Sequence, residues 1–434
     1  MSPGLSKVVE RAKREPEARF DSLAHHLDEA ALKRAFARIR RDAAVGVDGM
    51  TKEEYAKHLD ENIRDLHQRM RTQQYRHQPI RRVHIPKGPG TRETRPIGIS
   101  TIEDKIVQGA LREVLEAIYE QDFLPCSFGF RPGRSVHDAL GALDRMLFRE
   151  RIEWVLEADI RSFFDSIVRK KLMELLQLRV ADGSLLRLVG KCLHVGVLDG
   201  EEFTKPEDGT AQGSIISPLL GNVYLHHVLD LWFEREVHPR LRGHARLIRY
   251  ADDFVIGFTR KEEAERVLVE LKERMEAFGL TLHPDKTRII PFARPSRTDK
   301  GTGASTLGTF DFLGFTLHWR RSRVGSWVLG MKTRKASSRK TLLRVGEWCR
   351  RHRHRPRAEQ HAALSRKLRG HYEHFGVNGN IRCLKQVMYR VKCLWYKWLR
   401  RRGQRKPLRW ERFNAYLAQF PFPAPRICKQ IWAR

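Results

Sequence analysis

Residues 249–258 read Arg249-Tyr250-Ala251-Asp252-Asp253-Phe254-Val255-Ile256-Gly257-Phe258 and contain two adjacent aspartates between apolar residues. Apolar residues on either side of the two aspartates predict two short strands, and the polar pair between them predicts a tight hairpin turn. Two carboxylates in one turn repel each other unless a cation lies between them, and a pair of divalent metals fills that role where phosphoryl groups are transferred. Because aspartate is also common in solvated turns, a metal site requires a third carboxylate from elsewhere.

That third carboxylate is expected at Asp159. Residues 154–167 read Trp-Val-Leu-Glu-Ala-Asp-Ile-Arg-Ser-Phe-Phe-Asp-Ser-Ile, so that an apolar run ends at Asp159 and gives way to apolar residues at helical spacing. This pattern places Asp159 where a strand turns into a helix. There it can act as the third metal ligand beside Asp252 and Asp253.

The pairing of a D-I-R-S-F-F-D strand end with a Tyr-Ala-Asp-Asp hairpin resembles the palm of reverse transcriptases. More narrowly, it is similar to the reverse transcriptase and maturase proteins encoded by bacterial group II introns. The resemblance implies that Asp159, Asp252 and Asp253 are the catalytic residues and that they bind two Mg²⁺ ions, with Mn²⁺ as an alternative metal. The implied metal-binding set also includes Ile160.

Four positions are candidates for contact with the incoming nucleotide. Two strands around residues 81–99 are joined by a Gly- and Pro-rich loop, and a loop of this kind presents several cations on an exposed tip. Taken alone it is more often a solvated basic loop; its likeness to the I-P-K…R-P-I-G-I pattern of the family implies that Lys87 and Arg95 contact the triphosphate. In the family the position of Phe164 is an aromatic gate beside the sugar, and Gln212, in G-T-A-Q-G-S, lies near the nascent base pair. Ala211 departs from the usual proline of that block.

Other positions are candidates for contact with nucleic acid. The S-F-G-F-R-P-G-R-S block resembles a family motif, and Ser135 within it is predicted to cap a helix with Asp138. The L-H-P-D-K-T and F-L-G-F stretches resemble the family's palm-supporting and primer-grip elements. Arginines and aromatic rings interleave in the C-terminal helices, a mixture that suits structured RNA, although most of these rings are expected to form a helical core. The candidates are Arg131, Arg134, Lys286, Gly314, Arg369, Trp395, Arg401 and Arg402.

The charge of the chain agrees with such partners. A chain of 434 residues with 41% hydrophobic residues can form two or more domains with real cores. Its net charge of +31 points to a polyanion, most simply a nucleic acid. Residues 331–434 carry 29 lysines and arginines against 4 glutamates, a net charge of +25, which leaves +6 for the first 330 residues. Most of the excess therefore belongs to one C-terminal module.

Cysteine usage and hydropathy bear on the cellular compartment. The six cysteines are widely spread and form no Cys-x-x-Cys pair, which argues against a zinc site or a disulfide framework. No apolar segment follows the basic N-terminus, and no stretch approaches the roughly 18 apolar residues of a membrane span. We expect no membrane association and a bacterial cytoplasmic location, at the nucleoid when the protein is bound to DNA.

The elements predict an α+β chain, and the resemblance implies a right-hand polymerase. Residues 5–42 are predicted to be helical, either as a docking or capping helix pair or in direct contact with RNA. The expected domains are an N-terminal helical extension with the start of the fingers (1–75), fingers and palm with an antiparallel palm sheet (76–330), a basic helical thumb or maturase domain (331–405) and a short basic C-terminal segment (406–434). Nothing in the sequence after the thumb resembles a Cys- and His-bearing endonuclease domain.

The expected function is therefore an RNA-directed DNA polymerase of a group II intron, a retroelement protein that also binds intron RNA to assist splicing and mobility. Its partners would be intron RNA, an RNA template, a DNA primer, target DNA and dNTPs. Two alternatives stay open: an RNA-binding splicing cofactor without polymerase activity, and a reverse transcriptase recruited to phage defence or a CRISPR system.

Overall fold

The computed structural model describes residues 3–86, 88, 93–205, 207–210, 213–295, 308–322, 324–402 and 408–432. The predicted α+β class is confirmed, with helices and largely antiparallel sheets. The described strands are β1 (Ile80–Pro86), β2 (Thr94–Ile99), β3 (Trp154–Asp159), β4 (Val197–Asp199), β5 (Glu202–Thr204), β6 (Ala245–Tyr250), β7 (Asp253–Phe258), β8 (Arg288–Pro291), β9 (Phe310–Phe312), β10 (Phe315–Arg321) and β11 (Trp327–Thr333).

Helices connect and cover these strands. The described α-helices are α1 (Pro3–Arg14), α2 (Glu29–Arg38), α3 (Lys52–Ala56), α4 (Leu59–Arg71), α5 (Ile102–Asp122), α6 (Val136–Arg149), α7 (Phe163–Ser166), α8 (Arg169–Gln177), α9 (Gly183–Leu193), α10 (Ser217–Leu225), α11 (Lys261–Ala277), α12 (Lys335–Arg351), α13 (Arg357–Phe375), α14 (Ile381–Leu399) and α15 (Trp410–Gln419). Two π-helical turns, His226–Asp230 and Phe233–Val237, follow α10. No helix in the described ranges is long and apolar enough to span a membrane.

The central sheet has the strand order β6-β7-β3-β8, and all its pairs are antiparallel. Successive side chains of a strand point to opposite faces, so a sheet with cover on both sides sends neighbouring residues into different cores. Leu156 and Ile256 pack into a core formed largely by α1, α2, α5 and α8–α11. Val155 and Val255 pack into a second core with α6, the β9–β11 strands and α12–α14. The sheet is thus held between two hydrophobic layers.

Two smaller sheets flank this centre. β1 and β2 form the predicted antiparallel hairpin, and β1 also pairs in parallel with β4. Strands β9, β10 and β11 form an antiparallel sheet in chain order, and it precedes the basic helices α12–α14. A parallel pair such as β1–β4 requires a long connection, which here contains α5–α9 and β3.

Helix ends follow the predicted capping in the middle of the chain. The Ser135 side chain accepts from the Asp138 backbone while the Asp138 carboxylate accepts from the Ser135 backbone, which confirms the capping box at the start of α6. Residues 5–42 were predicted to be helical, and they contain two separate α-helices, α1 and α2. Pro16 follows α1 and disfavours helix at the residue before it, and Phe20 instead makes a bridge to Val180. A short 3₁₀ helix at Ala24–His26 follows, and the next α-helix is α2.

Candidate active site

A two-residue turn joins β6 to β7. Tyr250 and Asp253 are its flanking cross-strand partners, and Ala251 and Asp252 link them. The sequence predicted the hairpin correctly but placed both aspartates in the turn; Asp253 is instead the first residue of β7. Ala251 adopts φ +58°, the left-handed conformation that tight hairpin turns require. Asp252 therefore lies at the tip of the hairpin and Asp253 lies on the sheet beside it.

Asp159 lies opposite Asp253. It ends β3, as predicted, and the β3–β7 register pairs the two residues directly. The backbone carbonyl of Asp159 accepts from the N–H of His283 at 2.8 Å, and the next residue, Ile160, makes a bridge to Leu282. These contacts fix the end of β3 on both sides. The three acids therefore lie at the same end of the two inner strands of the central sheet.

The acids interact electrostatically. Removal from water, together with the charges of Asp252 and Asp159, raises the pKa of Asp253 to about 7. The pKa of Asp252 is also raised, by desolvation and by Asp159, while Arg95 and Lys286 oppose that rise. A carboxyl group whose pKa is raised by its neighbours is a group that a bound cation would stabilise in the ionised form.

A lysine already supplies one positive charge. The Lys286 ammonium forms a hydrogen bond and ion pair with Asp159 Oδ2. Asp159, Asp253 and Lys286 line a cleft of about 360 Å³. Two further ion pairs line this cleft, Arg288 with Glu157 and Arg334 with Asp311, each at 2.9 Å. The cleft is therefore lined by paired positive and negative side chains, including two of the three acids.

The donor chemistry of the three aspartates suits Mg²⁺, which binds carboxylate oxygens and water. In the conformation seen, however, no three histidine, cysteine, aspartate or glutamate side chains among the described residues are grouped closely enough to hold a metal ion. The pairing of Asp159 with Lys286 is one reason, because it directs this carboxylate to the ammonium. A metal would have to compete with Lys286 for Asp159. Ile160 has no side-chain ligand and could contribute only its backbone carbonyl.

The predicted nucleotide contacts are only partly described. Lys87 and Gln212 lie outside the described residues. Arg95 is exposed on β2, and its charge opposes the rise in the pKa of Asp252. Phe164 is half-buried in α7, with its ring 5.1 Å from that of Phe163. A Cβ at Gly221 would lie 3.2 Å from the Phe164 ring, so this glycine leaves room for the aromatic side chain.

Two candidates for nucleic-acid contact are buried instead. Arg131 is 7% exposed; its Nε lies 3.0 Å from Glu120, and its Nη1 donates to the carbonyls of Leu124 and Ser127. This guanidinium organises the loop before α6, so the predicted contact with template or nucleotide was wrong. Trp395 is completely buried and donates to Gln360 Oε1 at 2.9 Å. It is a core residue of the C-terminal helices, and its predicted contact with RNA was also wrong.

The other candidates are at least partly accessible. Gly314, at φ +86° between β9 and β10, lines the cleft beside the acids. Arg134 is half-buried, donates to the Pro125 carbonyl and lies over the Phe128 ring. The exposed candidates in the C-terminal helices are Arg369, Arg401 and Arg402.

The cleft cations Arg288 and Arg334 were not predicted from the sequence. Arg288 is the cross-strand partner of Glu157, and opposite charges in such pairs stabilise a sheet. The charges of the two residues could have indicated this pairing only if the adjacency of β3 and β8 had been known. Arg334 is brought to Asp311 by the β9–β10–β11 meander, and the charges of the two residues do not by themselves indicate this pairing.

Comparison with known proteins identifies the family. Residues 85–317, just over half of the chain, match the family described as reverse transcriptase (RNA-dependent DNA polymerase). The chain is 33% identical over 310 residues to Protein YkfC of Escherichia coli K12, an alignment covering 64% of this chain and 77% of that protein. It is 36% identical over 224 residues to the group II intron-encoded protein LtrA of Lactococcus lactis subsp. cremoris, covering 50% of this chain and 37% of LtrA.

A third relative is eukaryotic. The uncharacterized 91 kDa protein in cob intron of Schizosaccharomyces pombe is 32% identical over 286 residues, which cover 54% of this chain and 34% of that protein. The alignments thus span little more than a third of the length of each of the two intron proteins. The matched residues contain the β3 end, the β6–β7 turn and Lys286, and the chain belongs to the reverse transcriptase (RNA-dependent DNA polymerase) family.

Proposed function

We propose that this protein copies RNA into DNA by two-metal nucleotidyl transfer, and that it also binds the RNA of a group II intron to assist splicing and mobility. The observation that supports polymerase activity is the register of β3 and β7, because it sets Asp159 opposite Asp253 with Asp252 at the adjoining turn. In this proposed right-hand arrangement residues 1–75 are the N-terminal extension and the start of the fingers, 76–330 are fingers and palm, and 331–405 are the thumb or maturase domain. The basic segment 406–434 closes the chain.

The three aspartates would hold two Mg²⁺ ions. The chemistry that ions held there would supply is easier loss of the primer 3′-hydroxyl proton and neutralisation of charge on the leaving pyrophosphate. The protein places these ligands at two strand ends and one tight turn, and Asp159 would exchange its contact with Lys286 for the metal. The Lys286 ammonium holds Asp159 in the metal-free protein and offsets part of the repulsion among the acids.

The nucleotide would enter between the β1–β2 hairpin and the acids. Arg95 is the described cation of this hairpin whose charge acts on Asp252, and a guanidinium can bind a phosphate with two parallel hydrogen bonds. Lys87 and Gln212 complete the proposed contacts with the triphosphate and the nascent base pair. Phe164 would exclude a 2′-hydroxyl by steric contact, and its position is limited by the packing of Phe163 and Gly221.

A groove between α12 and α14 is a suitable surface for the template–primer duplex. Its volume is about 1300 Å³. Apolar residues such as Leu342, Val387 and Trp398 form part of the lining, with Arg339 and Arg390 among the cations. Cations near apolar surface match a duplex, whose phosphates carry charge while its sugars present apolar edges. Gly314 lines the cleft beside the acids, where the backbone could approach a primer closely.

Binding of intron RNA is supported by charge and by the relatives. Residues 331–434 carry a net charge of +25, and Arg369, Arg401 and Arg402 are exposed on this module. Two of the relatives are named for introns. A splicing cofactor without polymerase activity, or a reverse transcriptase in phage defence or a CRISPR system, would share part of this surface.

Primer extension on an RNA template, with dNTPs and Mg²⁺, tests the polymerase assignment. The natural protein is compared with Asp252→Ala plus Asp253→Ala, and RNA binding is measured for both. Asp285→Ala is a matched control, because this carboxylate is 88% exposed on the same edge of the cleft. We expect extension by the natural protein and the control, and none by the double variant with RNA binding kept. If the natural protein binds RNA tightly but does not extend the primer, the polymerase assignment is rejected and the RNA-binding splicing cofactor is the remaining function.

A further inference from the structure

An arginine lies completely buried beneath the hairpin that carries Asp252. Arg249, the penultimate residue of β6, has no exposed surface. Its Nε and Nη2 donate to the two carboxylate oxygens of Asp230, at 2.7 and 2.5 Å. Asp230 is equally buried. A charge removed from water in this way is costly unless it is paired and fully hydrogen-bonded, and this two-pronged pair meets that requirement.

The third nitrogen of the guanidinium acts on the turn itself. Arg249 Nη1 donates to the Asn222 side-chain oxygen at 2.9 Å and to the backbone carbonyl of Ala251 at 3.1 Å. Ala251 is the residue of the turn with φ +58°, a conformation that residues other than glycine adopt only at an energetic cost. The hydrogen bond from Arg249 favours this conformation of Ala251, the residue directly before Asp252.

A second contact holds the same turn from the other side. The Asn222 amide donates to the Gly129 carbonyl at 2.7 Å. Gly129 lies so close to the turn that a Cβ there would be 2.3 Å from the Ala251 nitrogen. The segment before Gly129 is bonded to β6 through Arg249, whose N–H donates to the Cys126 carbonyl and whose carbonyl accepts from Phe128. Arg249 and Asn222 therefore connect α10, the Cys126–Gly129 segment and the turn.

The π-helical turn after α10 positions Asp230, the acid that pairs with Arg249. Asp230 ends the π-helical turn His226–Asp230 that follows α10. A π-helical turn shifts side chains relative to an α-helix and is frequent at functional sites. It allows Asn222 and Asp230 to reach one guanidinium although they are eight positions apart. His226 lies 4.0 Å from Asp230, but burial and neighbouring cations lower its pKa to about 3, so it is neutral there.

We infer that Arg249, Asp230 and Asn222 are positioning residues of the proposed polymerase site, which hold the Ala251 carbonyl and thereby aim the Asp252 and Asp253 carboxylates at Asp159. The inference rests on the proposed function for its kinetic consequence only. None of the three contacts the reacting atoms; they act through the turn. Loss of such support around metal ligands typically lowers metal affinity or activity about 10–100-fold.

A double variant separates positioning from stability. Arg249→Met plus Asp230→Leu removes both charges with little change in volume, so no unpaired charge is left in the core. Arg179 with Asp122 is a matched control pair: Arg179 is buried, binds both Asp122 oxygens at 2.9 and 3.1 Å and donates to backbone carbonyls of the N-terminal segment, away from the turn. Arg179→Met plus Asp122→Leu should alter thermal stability similarly without affecting the acids.

Three quantities are measured for the natural protein and both double variants: the unfolding temperature, Mn²⁺ affinity by paramagnetic resonance titration, and kcat with KM for dNTP in primer extension. For the Arg249 variant we expect Mn²⁺ affinity about tenfold weaker and kcat lower by about 100-fold, as for a misplaced catalytic group, with KM for dNTP nearly unchanged. The control variant should match the natural protein in affinity and kcat.

Several outcomes would overturn the inference. A folded Arg249→Met plus Asp230→Leu variant with natural Mn²⁺ affinity and kcat would do so, as would equal losses in the control variant or no Mn²⁺ binding by the natural protein. If the double variant does not fold, Arg249→Lys replaces it; this keeps the charge opposite Asp230 but cannot also reach Ala251, and it should show the same loss of Mn²⁺ affinity. Weakened Mn²⁺ binding in a protein that never extends primers would reject the polymerase and retain the positioning role.

Discussion

Asp159 and Asp253 are cross-strand partners, one at the end of β3 and the other at the start of β7. Directly opposed like charges destabilise an antiparallel pair, so in the absence of a cation this edge of the sheet is less stable than its hydrogen bonding would allow. Lys286 offsets part of the repulsion through Asp159. The arrangement favours binding of a cation at the cost of the stability of the metal-free protein.

Replacement of Asp253 by asparagine should therefore stabilise the metal-free protein. The pKa of Asp253 is raised from 3.8 to about 7, so between these values the folded state keeps a proton that the unfolded state has lost. Stability then falls as pH rises through this window and is constant above it. We expect Asp253→Asn to match the natural protein near pH 4 and to unfold a few °C higher above pH 7.

Thermal unfolding in chelator across this pH range measures the effect. Asp285→Asn, which changes an 88% exposed carboxylate of the same cleft, should show no such difference. Addition of Mg²⁺ should raise the unfolding temperature of the natural protein more than that of Asp253→Asn, because ligand binding stabilises the folded state. If the natural protein and Asp253→Asn unfold at the same temperature at high pH, ionisation of Asp253 does not destabilise the folded protein.

Lys286→Met tests whether Lys286 acts as a substitute for the metal. Without Mg²⁺ the variant should lose about 0.5–1 kcal/mol of unfolding free energy, the size of a partly exposed ion pair. At saturating Mg²⁺ the loss should shrink, since the metal then neutralises the same carboxylate. Urea unfolding with and without Mg²⁺ measures both values. Arg288→Met removes the neighbouring ion pair with Glu157 and should lower the unfolding free energy by an amount that Mg²⁺ does not reduce. If the loss for Lys286→Met is the same with and without Mg²⁺, Lys286 does not act in place of the metal.

The acids could be predicted from the sequence because each lies in a local pattern that carries its own signal. An apolar run ending at Asp159 and an apolar hairpin around Asp252 are both readable within about ten residues. The support beneath them was not predicted. Arg249 reads as one more basic residue in a strand, and Asp230 as an acid near the end of a helix. They meet only because the fold places the π-helical turn after α10 beside β6.

The wrong predictions have a common cause. Arg131 was assigned to nucleic acid from its place in a family motif, and Trp395 from the mixture of arginines and aromatic rings around it. Neither basis separates an exposed side chain from a buried one. For Trp395 a signal was present: Leu384, Val387, Val391, Trp395 and Leu399 recur at three- and four-residue intervals and are all buried in α14. This spacing marks the core face of a helix. For Arg131 no comparable periodicity exists in its loop.

Phe164→Ala should relax selection against ribonucleotides. The half-buried ring lies beside α10, where Gly221 leaves room for it, and removal of a steric contact changes discrimination by about 10–200-fold. We expect the ratio of kcat/KM for a ribonucleotide to that for a deoxynucleotide to rise by at least about tenfold. Steady-state incorporation of single nucleotides measures this ratio.

Phe163→Ala is the matched control for the gate. Phe163 is adjacent but 4% exposed and belongs to the core. Its loss should lower the unfolding free energy by about 3 kcal/mol, as for other buried aromatic residues, while the folded fraction keeps its nucleotide preference. If Phe164→Ala discriminates as the natural protein does, the ring is a packing residue and the sugar is read elsewhere.

Arg369→Gln plus Arg401→Gln should weaken RNA binding through the loss of phosphate contacts. Both residues are exposed on the basic helices, and each phosphate contact on single-stranded nucleic acid contributes about 0.7 to the slope of log affinity against log salt. The slope should therefore fall by about 1.4 for the double variant. Arg131→Gln, by contrast, breaks a buried ion pair with Glu120 and should lower the unfolding free energy by about 3 kcal/mol while the slope is unchanged. A reduced slope for Arg131→Gln, measured where the protein is folded, would restore this residue to the nucleic-acid surface, and an unchanged slope for the double variant would place the RNA contacts on other cations of the module.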